Sequence, residues 1–288
     1  MKSVYLHETA SAFTGLTAYV FSGFLLLFAG IYTLAYNIDM GIANFSYVLQ
    51  NISFLFLIIV PVVTMRAVAE ERRQKTDQLL YALPLSMADV VVGKYLALLT
   101  QLLFPVAILC MYPLILNAFG QVPMAEAYSA IVGFFFLGAA LLAMGLFVSA
   151  LAESQSVAAG LCFVVMLLSY FLTALADLIP GTAVASLLAF GGTILVLGGG
   201  VYAMTKSGVF SAVVTMLALA ANLMVYAWRP ELFEGLFATV MRKLSLFDRF
   251  YVFITGVFDW TAIVYDATVA VFFLVMTVQV MEKRRWSE

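Results

Sequence analysis

Seven charged side chains, Arg66, Glu70, Glu71, Arg72, Arg73, Lys75 and Asp77, fall within twelve residues of a chain in which only 10% of residues are charged. Acids and bases so interleaved suit ion pairs and docking rather than catalysis. His7 is the only histidine and stands far from any pair of carboxylates, which leaves no parts for a hydrolytic triad or a zinc enzyme. The nearest approach to a phosphate-cradling loop is Gly200 followed, four residues on, by Thr205-Lys206-Ser207. Thr205 occupies the place of the glycine that lets the backbone close on phosphate. The residues before it are an apolar run rather than a strand. No catalytic residue and no metal site are therefore assigned. Gly191, Gly192, Gly198, Gly199 and Gly200 read instead as sites of close helix packing. Cys110 and Cys162, inside apolar runs and without zinc-site spacing, read as packing residues.

Two acids sit where ionised groups are costly. Asp266 lies about two turns inside the last apolar run, where it marks a pathway or a partner, or else an interface if that helix begins later. Asp177 closes another run and reads as interfacial; both are candidate pathway residues. Asn51, Asn222 and Gln279 are suited to hydrogen bonds between helices.

The elements that carry these residues follow from composition. With 65% of 288 residues hydrophobic, the chain is unsuited to water, and in a bilayer its backbone groups must be satisfied internally. The apolar runs approach the roughly 20 residues of a spanning helix, well beyond the 9–11 or so of a barrel strand. The expected fold is an all-α polytopic membrane protein with eight spans, at about 16–36, 46–65, 88–116, 128–151, 156–178, 186–204, 209–228 and 260–281. The first run reads as a retained anchor, since no basic leader precedes it and no small-residue cleavage site follows. Residues 1–15 read as a helix at the membrane surface, 66–85 as a charged helix between spans 2 and 3, 186–228 as a helical hairpin, and 229–258 as an amphipathic segment. Pro61 should kink span 2 near its end, and Ser86 with Asp89 resembles a capping box opening span 3.

Basic residues set the orientation. With the N-terminus in the cytoplasm, ten face in (Lys2, Arg66, Arg72, Arg73, Lys75, Lys94, Lys206, Lys283, Arg284, Arg285) and four face out (Arg229, Arg242, Lys243, Arg249). Lys94 is counted by letting it snorkel to the interface. Both termini and the charged segment are then cytoplasmic, in a multi-pass protein of the plasma membrane. A net charge of −2 gives no field for nucleic acid.

Glu70 to Pro84 reads either as a solvated loop helix or as a rigid charged lever for a cytoplasmic partner. Ala69-Glu70-Glu71-Arg72-Arg73 through Thr76 and Asp77, then Leu79-Leu80, Leu83-Pro84-Leu85-Ser86 and Gly93-Lys94, resemble the coupling-helix segment of ABC-2 type permeases. Gly145 to Leu151 with Glu153-Ser154-Gln155 resembles the turn between the fourth and fifth spans of the gliding-motility-type branch. Leu246 to Phe250, Gly256-Val257 and Glu282 to Trp286 form a third block. The resemblance implies a six-span core, in which 186–228 is an inserted hairpin, and a permease subunit of an exporter with no ATPase of its own. ATP and magnesium would be bound by a separate ABC ATPase subunit, and the partners would be that ATPase, a second permease and membrane lipids. Glu70, Glu71, Arg72, Arg73, Thr76, Asp77, Leu79, Leu80 and Leu83 would touch the ATPase, with Glu153 as a second contact. Lys75 and Gln78 depart from the residues many members carry, glycine and glutamate. The competing readings are an ion-coupled carrier or channel using Asp266 and Asp177, and an intramembrane enzyme, for which no catalytic pair is found.

Overall fold

The computed structural model describes residues 1–70, 86–205 and 207–285. Of the charged helix expected at 66–85, residues 71–85 lie outside the described residues, as do Lys206 and Trp286. Thirteen α-helices are described: α1 (Lys2–Thr14), α2 (Thr17–Tyr32), α3 (Ser46–Ile52), α4 (Phe56–Thr64), α5 (Met87–Leu109), α6 (Met111–Asn117), α7 (Met124–Leu151), α8 (Gln155–Asp177), α9 (Ala183–Thr205), α10 (Gly208–Trp228), α11 (Leu236–Leu244), α12 (Leu246–Ile254) and α13 (Trp260–Arg285). Among the described residues there is no strand. Eight stretches are long and apolar enough to cross a membrane: Thr17–Asp39, Ser46–Thr64, Met87–Asn117, Met124–Leu151, Gln155–Asp177, Ala183–Tyr202, Gly208–Trp228 and Trp260–Arg285. The protein is an all-α polytopic membrane protein, with spans close to those read from the sequence.

Local chemistry explains the breaks. α2 runs on into a wider π turn, Thr33–Asp39, closed by the Met40 amide on the Ala35 carbonyl at 3.1 Å. Span 2 stays helical through Pro61 to Thr64 and has a tighter 3-10 turn at Ser53–Leu55. Span 3 divides at Cys110 because Pro113 has no N–H to donate to the Leu109 carbonyl. The Tyr128 hydroxyl donates to the Cys110 carbonyl at that break, 3.1 Å away. At the start of α5 the expected cap is present: the Asp89 amide donates to Ser86 Oγ at 3.1 Å, and that hydroxyl donates to Asp89 Oδ2 at 2.7 Å. Such a cap stabilises by about 1 kcal/mol.

The chain forms two compact units, Met1–Tyr170 with Arg249–Glu288, and Phe171–Asp248. The first is built around α7, whose apolar stretch is 72% buried, and which packs against α13, α5, α4 and α3. α7 and α13 run parallel over their whole lengths: Phe253, Ala262 and Ile263 meet Val132 and Phe136 near one end, and Arg284 bonds Leu151 at the other. Phe134 packs against a tilted Phe56 ring on one side and meets Phe250 edge-on. Phe250 and Phe253 are fully buried, so the later part of the 229–258 segment is core rather than a surface layer.

α1 lies along the first turns of α5. The Met1 amine is 3.7 Å from Asp89, Val4 sits over Gly93, Glu8 meets Lys94, and Phe13 is edge-on to Phe104. The Lys94 ammonium does not snorkel: it is buried and donates to Glu8 Oε1 at 2.7 Å.

In the second unit α9 and α10 form the expected hairpin. Gly198 permits their contact, since a Cβ there would strike Thr215, and Ser211 Oγ donates to the Gly198 carbonyl at 2.7 Å. Gly191 only borders Leu219, while Gly192, Gly199 and Gly200 have no neighbour within 4 Å among the described residues of this chain. Asn222 bonds the Leu187 carbonyl across the hairpin, whereas Asn51 bonds its own helix at Tyr47. The amphipathic segment holds two α-helices, α11 and α12. Gly235, at φ +64°, opens α11, and the extended Ser245 ends it and caps α12 through the Asp248 amide at 3.1 Å.

Candidate functional site

The chain leaving span 2 is fastened before it reaches the charged segment. Past Thr64 the backbone turns, and the buried amides of Val68 and Ala69 both donate to Ser149 Oγ, at 3.3 and 3.2 Å. A serine hydroxyl has two acceptor sites, so one side chain in the last turn of α7 satisfies both donors. Ala69 then packs on Ala152 and Ala158, with Met65 alongside. Three alanines at one contact let the chain after span 2 approach the turn between spans 4 and 5.

The spans themselves are pressed together just above. A Cβ on Gly145 would stand 2.6 Å from Thr64 Oγ1 and 2.8 Å from its Cγ2, so glycine is required for α4 to lie against α7. Thr64 Oγ1 donates to Val60 at 2.8 Å and also contacts Cys162 Sγ in α8 at 3.6 Å. Cys162 is buried here, as a packing residue should be. The Arg284 guanidinium donates to the Leu151 carbonyl at 2.9 Å, satisfying an acceptor that the end of α7 leaves open and placing a cation at the negative end of the helix dipole.

Glu70 and the Glu153-Ser154-Gln155 turn, distant in sequence, thus share one end of this unit, and the start of α5 and the close of α13 lie there too. Glu153 is exposed and Glu70 half-buried, with Arg66 3.9 Å from Glu70 one helical turn away. That pair is solvent-accessible and contributes little to stability. Of the other expected coupling residues, Glu71, Arg72, Arg73, Thr76, Asp77, Leu79, Leu80 and Leu83 lie outside the described residues.

The two candidate pathway acids have different settings. Asp177, at the end of α8, accepts a hydrogen bond from Arg242 of α11 at 2.8 Å. Both side chains are about half exposed, and the pair tethers α11 within the second unit. Asp266 is 1% exposed, on a helix that begins at Trp260, and neither carboxylate oxygen has a hydrogen-bond partner among the described residues. Arg249 lies over the Tyr265 ring at 3.8 Å and acts electrostatically on Asp266. Sequence reasoning missed Ser149 and the Glu8–Lys94 pair. Ser149 stands inside a block already singled out, and Glu8 is the one acid of the first fifteen residues.

Eight apolar spans, with the chain leaving span 2 bonded to the end of span 4 through Ser149, define a multi-pass membrane protein. The chain belongs to the ABC-2 family of transporter proteins: the family model described as ABC-2 family transporter protein matches residues 28–228. No curated protein matches the chain. Membership implies a membrane subunit that is not itself an enzyme and that works with an ABC ATPase subunit.

Proposed function

We propose that this chain is the permease subunit of an ABC exporter of the gliding-motility-type branch, driven by a separate ATPase that docks on the charged end. The observation that carries the reading is the Ser149 clamp. Because Val68 and Ala69 are bonded to the end of α7, and Ala69 packs on Ala152 and Ala158, force applied at Glu70 or at the Glu153 turn reaches spans 2, 4 and 5 together. Rigid coupling of this kind turns a partner's closure into helix movement. The excess of basic residues at this end supports a cytoplasmic placement with both termini inside, and a second permease subunit would complete the assembly.

The test is co-expression with an ABC ATPase subunit, followed by charge reversal at Glu70, Glu71, Arg73 and Glu153. Co-purification and ATP-dependent transport are expected to fall while monodispersity is kept. Survival of both would overturn the docking assignment.

The buried carboxylate of Asp266 favours one alternative, an ion-coupled carrier. That reading requires transport by the purified chain in vesicles without any ATPase, and loss of it in Asp266→Asn. The ABC reading requires no transport in that assay.

A further inference from the structure

Span 3 ends in a piece that its neighbours hold lightly. Beyond the break at Cys110, α6 buries only Pro113, while Met111, Leu114 and Ile115 are each more than half exposed. Because Pro113 cannot donate to the Leu109 carbonyl, the helix lacks a bond that would carry stiffness from α5 into α6. An element with so little buried surface opens locally, without unfolding the bundle behind it.

Two tyrosines and a glutamate keep this piece in place, all within the first unit. The Tyr128 hydroxyl, in the first turns of α7, donates to the Cys110 carbonyl at the break, 3.1 Å away. The Tyr112 ring, inside α6, lies against the buried Phe45, with centroids 5.7 Å apart. Phe45 is placed in turn by Glu126: Asn44 Nδ2 donates to Glu126 Oε2 at 3.0 Å, and Ser46 Oγ donates to the Glu126 carbonyl at 3.4 Å. The Ser46 amide closes the turn on Asn44 Oδ1 at 2.8 Å. Gly256, at φ +82°, packs on the same side chain, since a Cβ there would stand 3.0 Å from Glu126 Cγ. The first turns of α7 therefore gather the head of span 2, the break in span 3 and the turn before α13. From Tyr128 to Ser149 the helical rise of about 1.5 Å per residue gives about 32 Å, roughly the thickness of a bilayer core. This assembly thus stands at the face opposite the Ser149 clamp.

We propose that α6 is a hinged flap that gates the entry of water at the end of the first unit remote from the charged segment. Cys110 is the pivot, Tyr128 the latch at the pivot, and Glu126 the positioning residue that sets Phe45 against the flap. The assignment concerns this chain alone and holds whether or not an ATPase docks at the other end.

The chain carries its own reporters. Cys110 sits at the pivot, and Cys162, buried against Thr64 in the half that adjoins the charged end, is the internal control. The full chain in lipid nanodiscs is treated with a membrane-impermeant maleimide, and the labelling rate of each cysteine is read by peptide mass spectrometry. Tyr128→Phe and Glu126→Ala should each quicken Cys110 labelling about tenfold and leave Cys162 unlabelled. Glu126→Gln, whose amide oxygen still accepts from Asn44, should stay within about twofold of the unmodified chain. Pro113→Ala restores a donor for the Leu109 carbonyl and stiffens the pivot, so it should slow Cys110 labelling by about threefold or more. General loosening of the bundle would instead expose both thiols and give no variant that slows. Asn44→Ala replaces Glu126→Ala should that variant not give a monodisperse protein. The proposal is overturned if Tyr128→Phe changes Cys110 labelling less than about threefold, if Pro113→Ala fails to slow it, or if Cys162 is labelled in step with Cys110.

Discussion

Removing Glu8 should release the N-terminal helix from α5. The side chain of Lys94 is 1% exposed and that of Glu8 26%, with Nζ and Oε1 2.7 Å apart. Taking one partner from a buried ion pair costs up to about 3–5 kcal/mol, and less where the remaining charge keeps another interaction, as Lys94 does. A quarter of Glu8 still meets solvent, which screens the pair and brings the expected loss to the bottom of that range, about 3 kcal/mol. The loss should be local, since α1 can open without unfolding the bundle around α7. Three kcal/mol is roughly 150-fold in an opening equilibrium. Hydrogen exchange read by mass spectrometry on peptides of residues 2–14 should therefore accelerate by about that factor in Glu8→Leu, while α7 is unchanged. Replacing both partners with apolar residues of similar volume is neutral or stabilising. Glu8→Leu/Lys94→Met should accordingly return α1 to within about threefold of the unmodified rate. Exchange that quickens less than threefold in the single variant, or that is as fast in the double variant, would refute the claim that this pair holds α1.

Gly145→Ala forces a methyl onto Thr64 and should lower the melting temperature by the equivalent of about 1–3 kcal/mol; Thr64→Ala in the same chain should recover most of it, as differential scanning fluorimetry can check. Ser149→Ala strips the shared acceptor from two buried amides, at about 1–3 kcal/mol for each donor left unsatisfied, and exchange at Val68 and Ala69 should rise while α13 stays protected. Asp259, at the start of α13, is held below the usual carboxylate range first by the Thr261 hydroxyl and then by the Thr261 amide. A lowered folded pKa means this carboxylate supports the fold above its unfolded pKa and ceases to as pH falls through the lowered value. Thr261→Val should move the Asp259 titration upward in carboxyl NMR.

Spans were legible because a bilayer imposes one requirement along the whole chain. Twenty or so apolar residues between Thr17 and Asp39 or between Gly208 and Trp228 can satisfy their backbone in only one way there. The Ser86–Asp89 cap was legible for a related reason, since its partners are three residues apart. Lys94 was not. A lysine near a helix end snorkels unless a partner is supplied, and the partner here is 86 residues away on an element with no periodic signal of its own. Ser149 was hidden in the same manner: serines in membrane helices usually bond their own backbone, and nothing local says that two amides of another segment will arrive. The glycines of α9 show how little a run of small residues specifies: it announces permission for close approach, and among the described residues of this chain Gly198 is the one that uses it.

The parallel packing of α7 and α13 bears on how the chain is made. The helix at the heart of the first unit is synthesised early, yet its principal neighbour emerges only after the intervening residues 152–259. At about 5–20 residues per second, translation of that stretch takes roughly 5–20 s. For most of that interval, until residues 250–253 are made, the Gly133 and Phe134 side of α7 lacks the aromatic rings of Phe250 and Phe253 that cover it in the finished protein. The insertion machinery must therefore hold an incomplete bundle until the last helix closes it, and a chain cut short before residue 250 would leave its most buried span facing lipid.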